Sequence, residues 1–511
     1  MTIPRSNHLA LIALLIPLLA ACGGPDAPLP PAPAPASSAV ADAAASITAA
    51  DMARRIGVLA HDSMRGRDTP SPELEAAADY LSAQFRTMGL EPAGDDGTFL
   101  ARWVFDVVAM DVDQTFIRAD DAGNDARYGR DFFMLPSAQN LIEAPAFYVG
   151  AAGEIRQLPA DARGAIMVFE MPGVDVDLAW QQQLVGGVQA AMMNGAAGVV
   201  AILEPEFPAG LIGQLADATA AQDAPIPVLG VTAELGRALL SAGGGDPAEI
   251  RASGTPTALG TTFQIASTRT REQHTPPNVV ALLRGSDPGL RDTYVVLSAH
   301  FDHVGVGNPD ETGDSIYNGA DDNASGTAAI LEMAEAFAAL PEPPARSVVF
   351  LAVSGEEHGL LGSMAWVEDP TVDIDNVVAN VNLDMVGRNA PDTVIGIGQE
   401  YSDLEDVLRD ITAAHPELGL NVIRDPKPEE RFFFRSDQLA FIQKGIPAVF
   451  FNTDDHEDYH EPSDEPARID ADKAARVARL AFYLAYAIAT NPEAPEWTPE
   501  GWRTVEQMIN Q

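Results

Sequence analysis

The residues best suited to chemistry in this chain are His300, Asp322, Glu356, Glu357, Asp384 and His460. Each lies at or beyond the end of an apolar run that reads as a β-strand, or at the start of the helix that follows one. Two histidines and three acids, His300, Asp322, Glu357, Asp384 and His460, form a donor set for two divalent cations. Oxygen and imidazole donors suit zinc best, with manganese or cobalt as alternatives. Two cations sharing a water is the chemistry of hydrolysis. The strongest single piece is Ser354-Gly355-Glu356-Glu357, where the run Val348 to Val353 stops at a glycine and delivers adjacent carboxylates. One can bind metal while its neighbour handles a proton.

The other pieces have the same form. Tyr294 to Leu297 is a β-branched and apolar strand followed by Ser298-Ala299-His300-Phe301-Asp302-His303. A carboxylate such as Asp302 is the usual partner that orients a metal-bound imidazole. Asn318-Gly319-Ala320-Asp321-Asp322-Asn323-Ala324-Ser325-Gly326 feeds a predicted helix from about Thr327 to Leu340. There Asp321 reads as a helix-start acid complementing the dipole, and Asp322 as a bridge between cations. Asp384 ends the apolar strand Val377 to Val381 with Leu383 and Met385 beside it, an expensive place for an unpaired acid. Asp458-Tyr459-His460-Glu461-Pro462-Ser463-Asp464 follows the strand Ala448 to Phe451.

These strands alternate with helices from Asn278 to a last long helix at about Asp470 to Thr490, the pattern of a largely parallel sheet. Its carboxyl edge is where ligands bind in open α/β folds. Upstream, Glu73 to Met88 has apolar residues near a 3.6-residue period and ends at Gly89. Between Val104 and Gln264 the chain instead has short strand candidates, Gly164 to Phe169, Gly198 to Ile202 and Pro227 to Val231, with a helix from Trp180 to Asn194 and no histidine. That stretch reads as an inserted, non-catalytic domain.

The whole is 511 residues with 46% hydrophobic content, enough for two domains or one with an insertion. A formal charge of -43, from 74 acidic and 31 basic residues, repels phosphate backbones and excludes nucleic acid as an expected partner. Arg5 and the apolar run Leu9 to Ala21 suit a signal peptide and are too short for a permanent membrane span. Leu19-Ala20-Ala21-Cys22 resembles a bacterial lipoprotein box, and Cys22 is the only cysteine. The expectation is an exported cell-envelope lipoprotein, outer-membrane or periplasm-facing, touching the membrane through its lipid alone; without lipidation it is secreted. Gly23 to about Ser46 is rich in Pro, Ala and Ser and reads as a tether.

Jointly, Ala-His-Phe-Asp-His, Gly-Ala-Asp-Asp-Asn-Ala-Ser-Gly, Gly-Glu-Glu, Asn-Leu-Asp-Met and Tyr-His-Glu-Pro-Ser-Asp make the chain resemble the M28 family of di-zinc aminopeptidases, in a lipoprotein form with an inserted protease-associated domain. The resemblance covers about residues 50 to 490. It implies a mostly parallel mixed sheet flanked by helices, with a β-rich α+β insertion. The corresponding division is 1–21 signal peptide, 22–46 tether, 47–104 first part of the peptidase domain, 105–264 insertion, 265–495 catalytic domain and 496–511 tail. By the same resemblance one zinc sits on His300, Asp322 and Asp384 and the other on Asp322, Glu357 and His460. Glu356 is then the general base, Asp302 the acid behind the first histidine, and Tyr459 a group that polarises the substrate carbonyl. Substrates would be peptides with a free N-terminus; the oligomeric state is left open. The pair Ser436-Asp437 matches a family position usually followed by histidine, where this chain has Gln438.

Three other readings compete. His456 to His460 is a literal His-Glu-x-x-His, which on a helix would suggest a single-zinc endopeptidase with Glu457 as base; its context, between Asp454-Asp455 and Pro462, is not helical. M28-like proteins also include glutaminyl cyclases. A non-catalytic binding protein of the same fold is the third.

Overall fold

In the computed structural model, residues 38–510 are described, apart from 121, 156, 157, 175, 253 and 254. The chain divides into two compact units, Met1–Ala101 with Pro277–Gln511, and Arg102–Pro276.

The larger unit begins with helices α1 (Ser38–Ser46), α2 (Ala49–Leu59) and α3 (Pro72–Thr87). After the insertion come β1 (Pro277–Leu283), β2 (Tyr294–His300), α4 (Gly326–Ala338), β3 (Ser347–Val353), β4 (Val377–Leu383), β5 (Thr393–Ile397), β6 (Asn421–Ile423), β7 (Ala448–Asn452) and α5 (Ala471–Thr490). In space the sheet runs Glu91–Pro92, β1, β3, β2, β4, β7, β5, β6. The four central strands β3, β2, β4 and β7 are mutually parallel, whereas β1 and β5 flank them antiparallel. All four therefore present their carboxyl ends on one edge.

Both faces of this sheet are covered, which is why strands such as β3 read as continuous apolar runs. In β3, Val348, Phe350 and Ala352 join one core with α2, α3, α4 and α5. Val349, Leu351 and Val353 point the other way, into a second core with Trp366 and Phe441. Burial of this kind stabilises by about 25 cal/mol per Å² of apolar surface. Arg55 of α2 is buried and pairs with Glu332 and Glu335 of α4, fastening α2 to α4.

The structure corrects the ends of the expected division. Within the stretch expected as a tether, 22–46, the part Ser38–Ser46 is a helix that buries Val40, Ala43 and Ala44. Those three have i, i+3, i+4 spacing in an alanine-rich stretch free of proline, so periodicity outweighs composition. The tail expected at 496–511 is in its described part a helix, Pro499–Ile509, capped by Thr498 and packed through Val505 against Ile395, Phe433 and Phe450. The expected signal peptide and Cys22 lie outside the described residues. No described helix is long and apolar enough to cross a membrane.

The second unit holds a seven-stranded sheet in the order Phe116–Ala119, Thr257–Ala266, Leu141–Ala151, Ile166–Met171, Gly198–Leu203, Val228–Val231, Phe132–Leu135. Its middle four strands are parallel and are connected partly by the helices Leu178–Met193 and Ala209–Ala220. Its centre is thus α/β with antiparallel edges rather than the expected β-rich α+β. The unit is also wider than 105–264: Phe105–Met110 pairs with Arg269–His274 in a two-stranded ribbon at entry and exit, a non-local pairing that local composition cannot signal.

Candidate metal centre

The parallel strands explain why residues far apart in sequence meet. His300 is the last residue of β2, Asp384 directly follows β4, and Glu356 and Glu357 lie three and four residues beyond β3. Asp322 sits in the turn leading into α4, and His460 in a turn beyond β7, with φ 55°. His456 to His460 is a turn, so the literal His-Glu-x-x-His is not displayed on a helix.

Asp322 is the centre of the cluster. Its Oδ1 is 3.2 Å from His300 Nε2, which is 3.3 Å from Asp384 Oδ1. Its Oδ2 is 3.1 Å from His460 Nε2, which is 3.0 Å from Glu357 Oε2. The five expected ligands therefore form two triads sharing one carboxylate. Separations of 3.0–3.3 Å suit neighbouring donors about a cation held at about 2.0–2.2 Å. The Nε2 atoms of His300 and His460 and Oδ1 of Asp384 are buried without a hydrogen-bond partner. Such orphaned donor atoms are costly unless something else occupies the space between them, and a divalent cation fits that donor set. His300, Asp322 and Asp384 form one group of metal-suited atoms; His303, Asp322, Glu357 and His460 form another.

The charges fit the same reading. Burial opposes the imidazolium of His300, yet the carboxylates of Asp384 and Glu356 outweigh it and hold its pKa well above the usual value. Burial likewise opposes a charged His460, but its contacts with Asp322 and Glu357 raise it to about 10. Burial pushes Glu356 well above the usual carboxylate range, with Asp437 and Asp384 adding repulsion against the opposing pull of His300. Glu357 is opposed by burial and Asp322, but His303 and His460 bring it down to about 2. Adjacent glutamates thus have opposite proton affinities, which separates a ligand from a base.

The supporting residues are layered behind these. Asp302 Oδ1 is 3.6 Å from His300 Nδ1, while Asp302 Oδ2 accepts from Gly355 N at 2.6 Å and Thr69 Oγ1 at 2.9 Å. It therefore fixes the turn carrying Glu356 as well as facing the imidazole. Ser436 Oγ donates to Asp384 Oδ2 at 2.8 Å. Asp437 is buried, and that burial pushes its carboxyl to about 7. Gln438 donates from Nε2 to Phe433 O at 3.0 Å and accepts from Asn382 Nδ2 at 3.3 Å. Tyr459 stacks on His460 with ring centroids 4.1 Å apart, its hydroxyl kept protonated by burial and by the acids nearby. The cluster opens into a cleft, partly open to solvent, lined also by Met385, Phe432, Phe450, Asn452 and Arg435. Phe432 lines the cleft, whereas its neighbour Phe433 packs against Tyr401.

Sequence reasoning passed over several residues. Asp321, read as a helix-start acid, does lie in the first turn of the segment before α4, but it is fully buried, accepts from Gly387 N at 2.7 Å and faces His456 Nε2 at 3.4 Å. Asp464 accepts from Asp321 N at 3.0 Å and Asp322 N at 3.1 Å, holding the backbone of the shared carboxylate. Arg67, fully buried, donates to four carbonyls, those of Leu59, Phe301, Asn318 and Gly319. His303 contacts Glu357. Asp321, Asp464 and His303 each lie within a motif singled out in the sequence, whereas Arg67 had no local signal.

Residues 278–485 match the family model described as peptidase family M28. A probable zinc metalloprotease of Pyricularia oryzae is 27% identical over 258 residues, covering 42% of this chain and 50% of that protein. The chain thus spans half the length of that curated relative. Among solved structures, an aminopeptidase from Aneurinibacillus sp. strain AM-1 superposes with TM-score 0.53 at 21% identity, over 90% of this chain and 97% of the other. A zinc aminopeptidase from Bacillus subtilis gives 0.54 at 18%, over 88% and 97%. These likenesses establish a shared α/β fold.

Proposed function

We propose that this chain is a zinc-dependent exopeptidase that removes N-terminal residues from peptides. The observation that carries the reading is the pair of triads sharing Asp322, with Glu356 beside them and oppositely tuned from Glu357. One cation would be held by His300, Asp322 and Asp384, and the other by Asp322, Glu357 and His460. Bound there, two zinc ions supply Lewis-acid polarisation of a carbonyl and acidify a water.

The chain's own residues do the rest. Glu356, whose buried carboxyl has a high proton affinity, takes a proton from the attacking water and delivers it to the leaving amine. Tyr459, protonated and at the cleft, donates a hydrogen bond to the substrate carbonyl oxygen. Asp302 holds both the His300 side of the site and the Gly355–Glu356 turn. Met385, Phe432 and Phe450 offer an apolar wall to the first side chain, and the acids of the cleft suit a free α-amine.

The second unit would be a protease-associated domain; its deletion, assayed on short and long peptides, tests this. Cys22 would carry the lipid of an exported, envelope-anchored protein; fatty-acid labelling with a Cys22→Ser control tests this. The activity is tested with an aminoacyl-nitroanilide panel before chelation, after chelation and with zinc restored. Cleavage lost and regained supports the reading. No cleavage by protein that has taken up metal overturns the exopeptidase assignment and directs attention to cyclisation of N-terminal glutamine.

A further inference from the structure

We propose that His303 is a positioning residue for Glu357: its Nδ1–H occupies Oε1, so that Glu357 offers a single oxygen, Oε2, to the cation it shares with Asp322 and His460. This rests on the two-cation reading above. His303 Nδ1 lies 2.6 Å from Glu357 Oε1, a hydrogen-bond length, whereas Oε2 is the oxygen facing His460 Nε2 at 3.0 Å. The two oxygens of one carboxylate thus have different partners. As a metal ligand Glu357 is ionised and has no proton to give, so the proton between them belongs to His303.

The ring has little freedom to do otherwise. His303 is fully buried and stands edge-on to His460, with ring centroids 5.4 Å apart. It lies against Gly319, where a Cβ would come within 2.5 Å of its Cδ2 and Cγ. The other terminal carboxylate is arranged alike: Ser436 Oγ donates to Asp384 Oδ2 at 2.8 Å, leaving Oδ1 toward His300. Each triad therefore has one carboxylate restricted to one-oxygen coordination by a donor on its far oxygen. One-oxygen binding keeps coordination positions free for water and substrate, which a catalytic zinc needs. The sequence places His303 three residues after His300, so one short segment both contributes to the first triad and orients a member of the second.

The test is calorimetric titration of the metal-free full chain with zinc, together with the visible spectrum of the cobalt-loaded protein, for wild type, His303→Phe and His303→Gln. Phe keeps a ring against Gly319 but donates nothing; Gln can donate. In His303→Phe one of the two sites is expected to weaken by roughly 10–100-fold while the other is unchanged, with altered cobalt absorption. His303→Gln is expected to recover most of that affinity and the wild-type spectrum. Both sites within about twofold of wild type in the Phe variant would overturn the proposal. So would a Gln variant as impaired as Phe, or, should Phe not fold, a Gln variant weakened 10-fold or more. A wild type that takes up fewer than two ions would instead sink the two-cation reading itself.

Discussion

Arg67 offers the most direct test of how the site is braced. Its guanidinium donates to Phe301 O at 2.8 Å, Leu59 O at 2.6 Å, Asn318 O at 2.7 Å and Gly319 O at 3.1 Å, joining the segments that follow His300 and precede Asp322. Arg67→Met would fill much of the volume but leave four buried carbonyls without donors. Each such loss costs about 1–3 kcal/mol. Against this, burial lowers the pKa of Arg67 from 12.5 to about 10, so removing the charge relieves about 3 kcal/mol of desolvation. The net expectation is a loss of about 1–9 kcal/mol from the larger unit, a fall in Tm on the order of 2–25 °C by scanning calorimetry. Because both bridged segments carry proposed ligands, zinc affinity should fall in the same variant. Lysine would not rescue it, having a compact ammonium in place of a five-donor fork. A loss below about 1 kcal/mol with zinc affinity unchanged would refute the argument.

Replacing Glu356 by Gln should leave zinc content unchanged and lower kcat by about 10²–10⁴; retained hydrolysis would discard it as the base. At pH 7 the raised pKa values of His300 and His460 keep both imidazoles charged in the metal-free protein, and each must lose its proton to bind metal. Zinc uptake should therefore release roughly two protons, and apparent affinity should weaken as pH falls. Calorimetry in buffers of different ionisation enthalpy measures this, and zero release would contradict the charge assignment. A chain begun at Ile47 lacks the burial of Val40, Ala43 and Ala44 that a chain begun at Ser38 retains. The difference should be about 2–4 kcal/mol, and equal stabilities would show that the helix is incidental.

The five side chains that meet around Asp322 could be picked out beforehand because each piece is local. An apolar run buried on both faces, stopped by a polar residue at its carboxyl end, announces itself without knowledge of what lies beside it. The segment Val348 to Val353 followed by Gly355-Glu356-Glu357 needs no tertiary information to be read as a strand delivering acids. The same reasoning misjudged Ser38–Ser46, where only packing against α4 and α5 makes a short helix worth forming. It also missed the ribbon between Phe105–Met110 and Arg269–His274, whose strands lie near opposite ends of the second unit's sequence.

Residue types and spacing determined by themselves the donor chemistry, the alternation of strands and helices, and the existence of an insertion. Tertiary structure alone decided the order β3, β2, β4, β7, which brings the two triads together on Asp322. It also decided the roles of Arg67, Asp464 and His303, and the opposite proton affinities of Glu356 and Glu357. The physical reason is one of range. Strand formation and ligand type are set within a few residues, whereas burial, field and hydrogen-bond partnership depend on atoms that only the folded chain makes neighbours.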